Sequence, residues 1–150
     1  MSVRLTPNGT RGVNMPRMSG PLVGILQAIS SIFMRLFGMS LITLITTGAK
    51  TGRERTTMLG KFPDGENSWL VTATNGGAAR HPNWFYNLVK NPDKVWIKIG
   101  NQKVKVKPET LQGSEREAAW QRIVAISPNY GPYQKKTDRE IPIIRLRIEP

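Results

Sequence analysis

Between two apolar runs, Thr46-Thr47-Gly48-Ala49-Lys50-Thr51-Gly52-Arg53-Glu54-Arg55-Thr56-Thr57 gathers three cations, five threonine hydroxyls and two glycines in twelve positions. Glycines let backbone N–H groups turn toward one ligand, hydroxyls donate to its oxygens, and Arg55 can fork two of them, so the composition is that of an anion cradle. It is not a Walker loop, because the Gly-Lys-Thr order and the glycine four residues earlier are missing. The plain alternative is a solvated hairpin turn.

A second stretch, Thr74 to Asn87, sets Asn75-Gly76-Gly77 at a strand end and then starts a helix, and helix N-termini attract anions. Arg80 and His81 add charge and donors there. Trp84, Phe85 and Tyr86 offer flat surface for a ring system; the alternative makes Trp84 and Phe85 core anchors and His81 an N-cap. The third stretch is Ser127-Pro128-Asn129-Tyr130-Gly131-Pro132-Tyr133-Gln134, followed by Lys135-Lys136-Thr137-Asp138-Arg139. Two tyrosines in a proline-broken loop can donate to a developing oxyanion, although a phenol near pKa 10 is a poor base at neutral pH. Loop packing is the alternative.

Composition narrows what these stretches can do. There is no cysteine, so thiol nucleophiles, Fe–S clusters and thiolate zinc are excluded, and the one histidine, His81, leaves little for a metal centre and no spare base for a triad, so no metal site is expected. Lys and Arg outnumber Asp and Glu by 22 to 10, a net charge of +12, which asks for an anionic partner. Nothing at the amino terminus reads as a secretory leader, so a cytoplasmic location is expected.

These residues have to be placed by a small set of elements. Residues 1–18, with Arg4, Arg11 and Arg17, glycine and proline breaks and no acid, read as a mobile basic arm. From 19 to 38, Leu22, Ile25, Leu26, Ile29, Ile32, Phe33, Leu36 and Phe37 recur at three and four and predict an amphipathic helix. Strands are predicted over 40–47, 54–61, 68–74, 94–99, 102–107 and 142–148. Helices are predicted over about 82–90 and from a Ser114/Glu117 capping box onward. Six strands with few helices predict a mainly β, α+β domain over 39–150, a small closed or split barrel.

In order and spacing, three sets of residues resemble the deazaflavin (coenzyme F420)-dependent nitroreductase family of actinobacteria. They are Thr-Thr-Gly-x-Lys-Thr-Gly-x-x-Arg at 46–55, Asn-Gly-Gly with Pro82-x-Trp84 and Asn87, and Tyr130-x-x-Tyr133-Gln134 with Thr137-Asp138-Arg139. The resemblance covers the chain from about Leu41 onward. It implies a split β-barrel of FMN-binding type, with a reduced deazaflavin handing a hydride to a quinone, enone or nitroaromatic acceptor. It further implies that Lys50, Thr51, Arg55 and Thr56, beside Ala49, hold the cofactor's phosphate and glutamate tail. The walls around the ring would be Thr57, Met58, Leu59 and Gly60 on one strand, Thr72, Ala73, Thr74 and Asn75 at the end of another, and Asn83, Trp84, Phe85, Tyr86 and Asn87. Tyr130 and Tyr133 would face the acceptor. Ser127 and Gly60 depart from a nitroimidazole-activating member of the family, which carries a third tyrosine and another bulky ring at those places.

On this reading Tyr130, Tyr133, Thr74 or a water protonates the reduced acceptor. A monomer or homodimer is expected, with no nucleic-acid partner, and an anionic membrane surface as a second partner through residues 1–38, which would put the protein on the inner face of the plasma membrane. The alternative class is a small basic barrel that binds single-stranded nucleic acid or a membrane without catalysis.

Overall fold

The computed structural model describes residues 3–13 and 40–149, with Ile25 and Ile29 between them. Those two residues are helical and exposed, and the helix expected over 19–38 otherwise lies outside the described residues. The β-branched run Leu41–Thr47 forms β1, and the chain turns at Gly48–Arg53 into β2, Glu54–Gly60. Then come β3 (Phe62–Pro63), β4 (Ser68–Thr72), α1 (Asn83–Lys90), β5 (Trp96–Ile99), β6 (Gln102–Thr110), α2 (Gly113–Ile126), α3 (Gly131–Lys136) and β7 (Ile143–Ile148).

All strand pairs are antiparallel, in the order β2-β1-β5-β6-β7-β4-β3. β6 pairs with β5 over Gln102–Lys105 and with β7 over Val106–Thr110, so it bends from one half of the sheet into the other. Pro108 falls after β6 has left β5, where its missing N–H breaks no second ladder. The coiled sheet brings β2 alongside β4 without pairing, which leaves the barrel split there. The expected mainly β split barrel is therefore the observed fold, with seven strands because Phe62–Pro63 adds a two-residue seventh.

Alternation sends one face of each strand inward. Leu44, Val71, Val95, Ile97, Val106, Ile144 and Leu146 fill the barrel, and α1 closes it with Trp84, Phe85 and Leu88. Phe62, Leu70, Ile141 and Ile143 pack on the other side against Ala119, Trp120 and Ile123 of α2. Burying a side chain such as Phe85 contributes about 2–3 kcal/mol.

Four local expectations change. The strand expected to reach Thr74 ends at Thr72, because the carbonyls of Ala73 and Thr74 turn to accept from Arg139 Nη1 (2.9 Å) and Nη2 (2.8 Å). The Ser114/Glu117 box does not form: Gln112 is the N-cap, and Glu117 instead pairs with Arg116 Nη1 at 2.7 Å. The Tyr130–Tyr133 segment is helical rather than a loop, a 3₁₀ turn at Pro128–Tyr130 followed by α3.

The fourth concerns the arm, which over its described residues is docked rather than mobile. Arg4 N–H donates to Thr110 Oγ1 (3.0 Å), Gly9 N–H to Ala79 O (2.8 Å) and Val13 N–H to Gly77 O (3.1 Å). Low hydrophobicity predicted freedom, but here the backbone itself supplies the contacts.

Beneath the arm lies His81, 1% exposed. Its Nδ1 accepts from Arg139 Nη1 at 2.9 Å and its Nε2–H donates to the Thr6 carbonyl at 2.8 Å, which fixes the neutral Nε2–H tautomer. Burial, with the Arg139 charge adding to it, holds this imidazole below its ordinary value despite the opposing hydrogen bond to Thr6. An unfolded chain takes up a proton near pH 6.5 that the folded one refuses, so stability is full above that pH and falls as pH drops below it. We expect denaturant-derived stability to decline between pH 7 and 5 by up to about 1.4 kcal/mol per pH unit. The decline should vanish in His81→Gln. Asp138, held at about 2, and Asp64, also lowered, titrate too far down to produce that slope. A wild-type profile that is flat from pH 7 to 5 would contradict the assignment.

Candidate functional site

Helix α1 is the spine of the site. Trp84, Phe85 and Leu88 anchor it in the barrel, which leaves Asn83, Tyr86, Asn87 and Lys90 to do polar work around its rim. Asn87, buried at the junction with β1, accepts from Ala49 N–H at 3.0 Å and donates to Thr46 Oγ1 at 3.4 Å. Asn91, just past the helix, donates to the Thr47 carbonyl at 3.2 Å. The turn after β1 closes on itself through Gly48 N–H to Arg53 O (2.7 Å) and Gly52 N–H to Gly48 O (2.9 Å). A two-glycine cation turn is thus tied by an amide side chain to a helix nearly forty residues away.

On that turn Lys50, Thr51, Arg53, Arg55 and Thr56 are exposed, and among the described residues none of the three cations forms an ion pair. Glu54, the acid in their midst, is occupied by Lys103. Positive charge is therefore concentrated and uncompensated at the start of β2. Thr57, Met58, Leu59 and Gly60 continue along β2, half-buried, on the strand that borders the split.

The amino end of α1 organises the opposite bank. Asn75, at a positive φ of 45°, donates from Nδ2 to Arg80 O at 2.9 Å, and Arg80 Nη2 donates to Asn83 Oδ1 at 3.3 Å. The Arg80 guanidinium lies 5.2 Å from the centre of the Tyr86 ring. Thr74 is half-buried and precedes this turn. Helix α3 packs against Asn75–Gly77 and carries Tyr133, whose ring meets Tyr130 edge to face at 5.7 Å. Tyr130 stacks in the same way on Phe62 at 5.3 Å, and burial, then the Tyr133 phenol, raises its pKa. That phenol is a proton donor and not a base.

The sequence-derived set therefore divides. Ala49, tied to Asn87, shares the β1–β2 turn and the start of β2 with Lys50, Thr51, Arg55 and Thr56, and Thr57–Gly60 continue that strand, while Asn75, Asn83 and Tyr86 are linked to one another through Arg80, next to Thr74. Thr72, Ala73, Trp84 and Phe85 are buried, the last three in the main core, and Ala73 has both backbone groups taken, by Pro142 O and Arg139. For Trp84 and Phe85 the core-anchor alternative describes what is observed.

Two further residues of the third stretch, Gln134 and Arg139, tie these segments together. Arg139, 2% exposed, donates to Ala73 O, Thr74 O, Ala78 O (3.1 Å) and His81 Nδ1, and among the described residues no carboxylate pairs with it. Gln134 accepts from Ile141 N–H (3.1 Å) and Arg116 Nη2 (3.0 Å) and donates to Arg139 O (2.7 Å), locking α3 to the segment that carries Arg139. The motif Tyr-x-x-Tyr-Gln with Thr-Asp-Arg signalled them, and only its tyrosines had been given a task.

A separate cleft of about 330 Å³ lies between β3, β4 and the end of α2, lined by Phe62, Pro63, Leu70, Ile123, Ala125 and Ile126 with Arg122. Its apolar lining unfits it for a polyanion. Among the described residues, no group of three His, Asp or Glu is placed to hold a metal, and no helix is long and apolar enough to cross a membrane.

The fold is a split β-barrel that carries an exposed cluster of cations on the turn between its edge strand β2 and β1. The model of the F420H(2)-dependent quinone reductase family matches residues 25–147, and the chain belongs to that family. The F420H(2)-dependent quinone reductase Rv1261c of Mycobacterium tuberculosis is 39% identical over 108 residues, 70% of this chain and 71% of that one. Among solved structures, the F420-H2 dependent reductase FDR-A superimposes with a TM-score of 0.62 at 33% identity, over 71% of this chain and 93% of that one. A domain-swapped dimer does so at 0.63 and 29% identity, over 85% and 100%. The protein is an oxidoreductase and its cofactor is coenzyme F420, a polyanion that the unpaired cations of the turn fit.

Asn87 is the residue on which the cation turn's position depends. Asn87→Ala should cost about 1–3 kcal/mol of stability by leaving Ala49 N–H without its acceptor. Binding of F420 should weaken with it. Asn87→Asp, which keeps the acceptor, should lose less in both. Denaturant unfolding and a fluorescence titration check this, and an Asn87→Ala protein as stable as wild type would show that the turn is held otherwise.

Proposed function

We propose that Lys50, Thr51, Arg55 and Thr56 hold the phosphate and glutamate tail of F420 and that the acceptor is reduced between β2 and the Tyr130–Tyr133 turns. The observation that carries this is the cluster of unpaired cations fixed by Asn87 at the mouth of the split. A fork of guanidinium donors and threonine hydroxyls on a rigid turn suits phosphate and carboxylate oxygens, and no metal is needed to neutralise them.

When bound, the reduced cofactor supplies a hydride to an electron-poor acceptor such as a quinone, an enone or a nitroaromatic. The chain's own tasks are positioning and protonation. Asn75, Asn83 and Tyr86 orient one bank, and Thr57–Gly60 lines the other. A proton for the reduced acceptor's oxygen comes from the Tyr130, Tyr133 or Thr74 hydroxyl or from a water. Burial holds the Tyr130 phenol above its ordinary pKa, so it is protonated in the resting protein and can donate to a developing oxyanion.

A quinone acceptor favours a cytoplasmic protein resting on the inner face of the plasma membrane, with anionic lipid as a second partner through residues 1–38. Ile25 and Ile29, helical, exposed and one turn apart, support that placement. Arg4 and Arg11 contribute less to it than composition implied, since their side chains donate to Gln112 Oε1 and Lys135 O.

Fluorescence titration and steady-state quinone reduction test the assignment together. Lys50→Ala/Arg55→Ala should weaken F420 binding by about 2–5 kcal/mol, at least thirtyfold, with the fold intact. Of Tyr130→Phe and Tyr133→Phe, at least one should lose about tenfold in kcat with cofactor affinity unchanged. Unaltered affinity in the double cation variant would sink the groove. Wild-type turnover in both tyrosine variants and in their combination would leave the proton to Thr74 or water.

A further inference from the structure

The amino-terminal arm is the described segment that the function above leaves unused, and it is seated too closely to be a passive tail. A Cβ added to Gly9 would lie 2.4 Å from Asp138 Oδ1, and one added to Gly12 would lie 2.3 Å from Ala79 N, so at both points the arm's backbone touches the protein directly. Asp138 grips it with three hydrogen bonds, from Thr10 N–H (2.8 Å), Arg11 N–H (2.9 Å) and the Thr10 hydroxyl. The strip it covers, Gly77–His81, joins Asn75 to the start of α1.

Between these anchors one arm side chain reaches the site itself. Asn8 Oδ1 accepts from the Tyr86 hydroxyl at 2.6 Å and from His81 N–H at 3.2 Å. Tyr86 is thereby fixed on three sides: Asn8 at its hydroxyl, the His81 ring edge to face at 5.8 Å, and the Arg80 guanidinium over its ring. Arg80 in turn meets Asn83 through its side chain and Asn75 through its carbonyl. One carboxamide from the far end of the chain thus terminates a relay that runs Tyr86, Arg80, Asn83 and Asn75, all exposed or half-buried, along one bank of the groove.

We propose that Asn8 is a positioning residue of the reductase, acting on the cofactor through Tyr86; the inference rests on the placement of the groove given above. Asn8 is exposed and belongs to neither apolar cluster, and its one bond to a buried group is the one it accepts from His81 N–H. What its acceptor oxygen supplies is a single orientation for a ring and a guanidinium that would otherwise rotate in solvent. Pre-orientation of this kind shows as affinity lost without stability lost.

The test compares Asn8→Ala, Asn8→Asp, Tyr86→Phe and the Asn8→Ala/Tyr86→Phe double variant. Each is titrated with F420 by fluorescence and melted without it. We expect Asn8→Ala and Tyr86→Phe each to weaken binding about fivefold, the double variant to lose no more than either, and Asn8→Asp, which keeps the acceptor, to bind as wild type. Melting temperatures should stay at the wild-type value in Asn8→Asp and Tyr86→Phe, which keep an acceptor for His81 N–H, and fall modestly in Asn8→Ala and the double variant, which remove it. Additive losses of affinity, equal loss in Asn8→Asp, a fall in melting temperature in Tyr86→Phe that tracks its affinity, or wild-type affinity in Asn8→Ala would each overturn the role of Asn8. A misplaced groove reads differently, as wild-type affinity in Lys50→Ala/Arg55→Ala.

Discussion

A buried guanidinium without a carboxylate partner holds this structure's working parts together. Arg139 takes its charge out of water, which costs several kcal/mol, and recovers it by donating to three carbonyls in the 73–78 segment and to a neutral histidine. Burial lowers its pKa from the ordinary value, yet a guanidinium stays charged in a protein, so the carbonyls must remain turned toward it. That demand ends β4 at Thr72, shapes the Asn75-Gly76-Gly77 turn, and keeps His81 deprotonated beneath the arm. Through Gln134 the same segment fixes α3 and with it Tyr133. The 73–78 turn and the helix that carries Tyr133 therefore share one support.

The opposite bank is built on another economy. Cations that bind a polyanion must stay unpaired, and unpaired cations in a flexible turn lose their orientation. Asn87 resolves this with neutral hydrogen bonds, which hold the turn at Ala49 and β1 at Thr46 and leave Lys50 and Arg55 uncompensated. The apolar half of α1 supplies the rigidity that makes such a tether useful. A carboxylate at position 87 would hold the turn and also dilute its charge.

Much of this was legible in the chain because it is local. Isoleucine alternates with tryptophan and lysine through β5 and valine with lysine through the first half of β6, so strand, hairpin and exposed face follow from period alone, and the cation turn follows from composition. What stayed hidden depends on contacts at long range. Arg139 follows Lys135 and Lys136, and nothing local marks it for burial; carbonyls more than sixty residues away enclose it. The arm reads as disordered because it buries little apolar surface. Its order comes from backbone hydrogen bonds, two close glycines and an aspartate some 128 residues off. Trp84 and Phe85 were open to two readings, since an aromatic pair at a helix start suits a ring wall and a core equally, and the barrel interior claims both.

The central claim is that F420 lies between the 48–60 hairpin and the amino-terminal half of the Asn83–Lys90 helix. Hydrogen exchange followed peptide by peptide, with and without saturating F420, tests it most directly. The account predicts slowed exchange in 49–60, 74–77 and 83–87, with unchanged rates around the apolar cleft at 62–64 and 122–126. Protection centred on the cleft, with the cation turn exchanging as in the free protein, would contradict it.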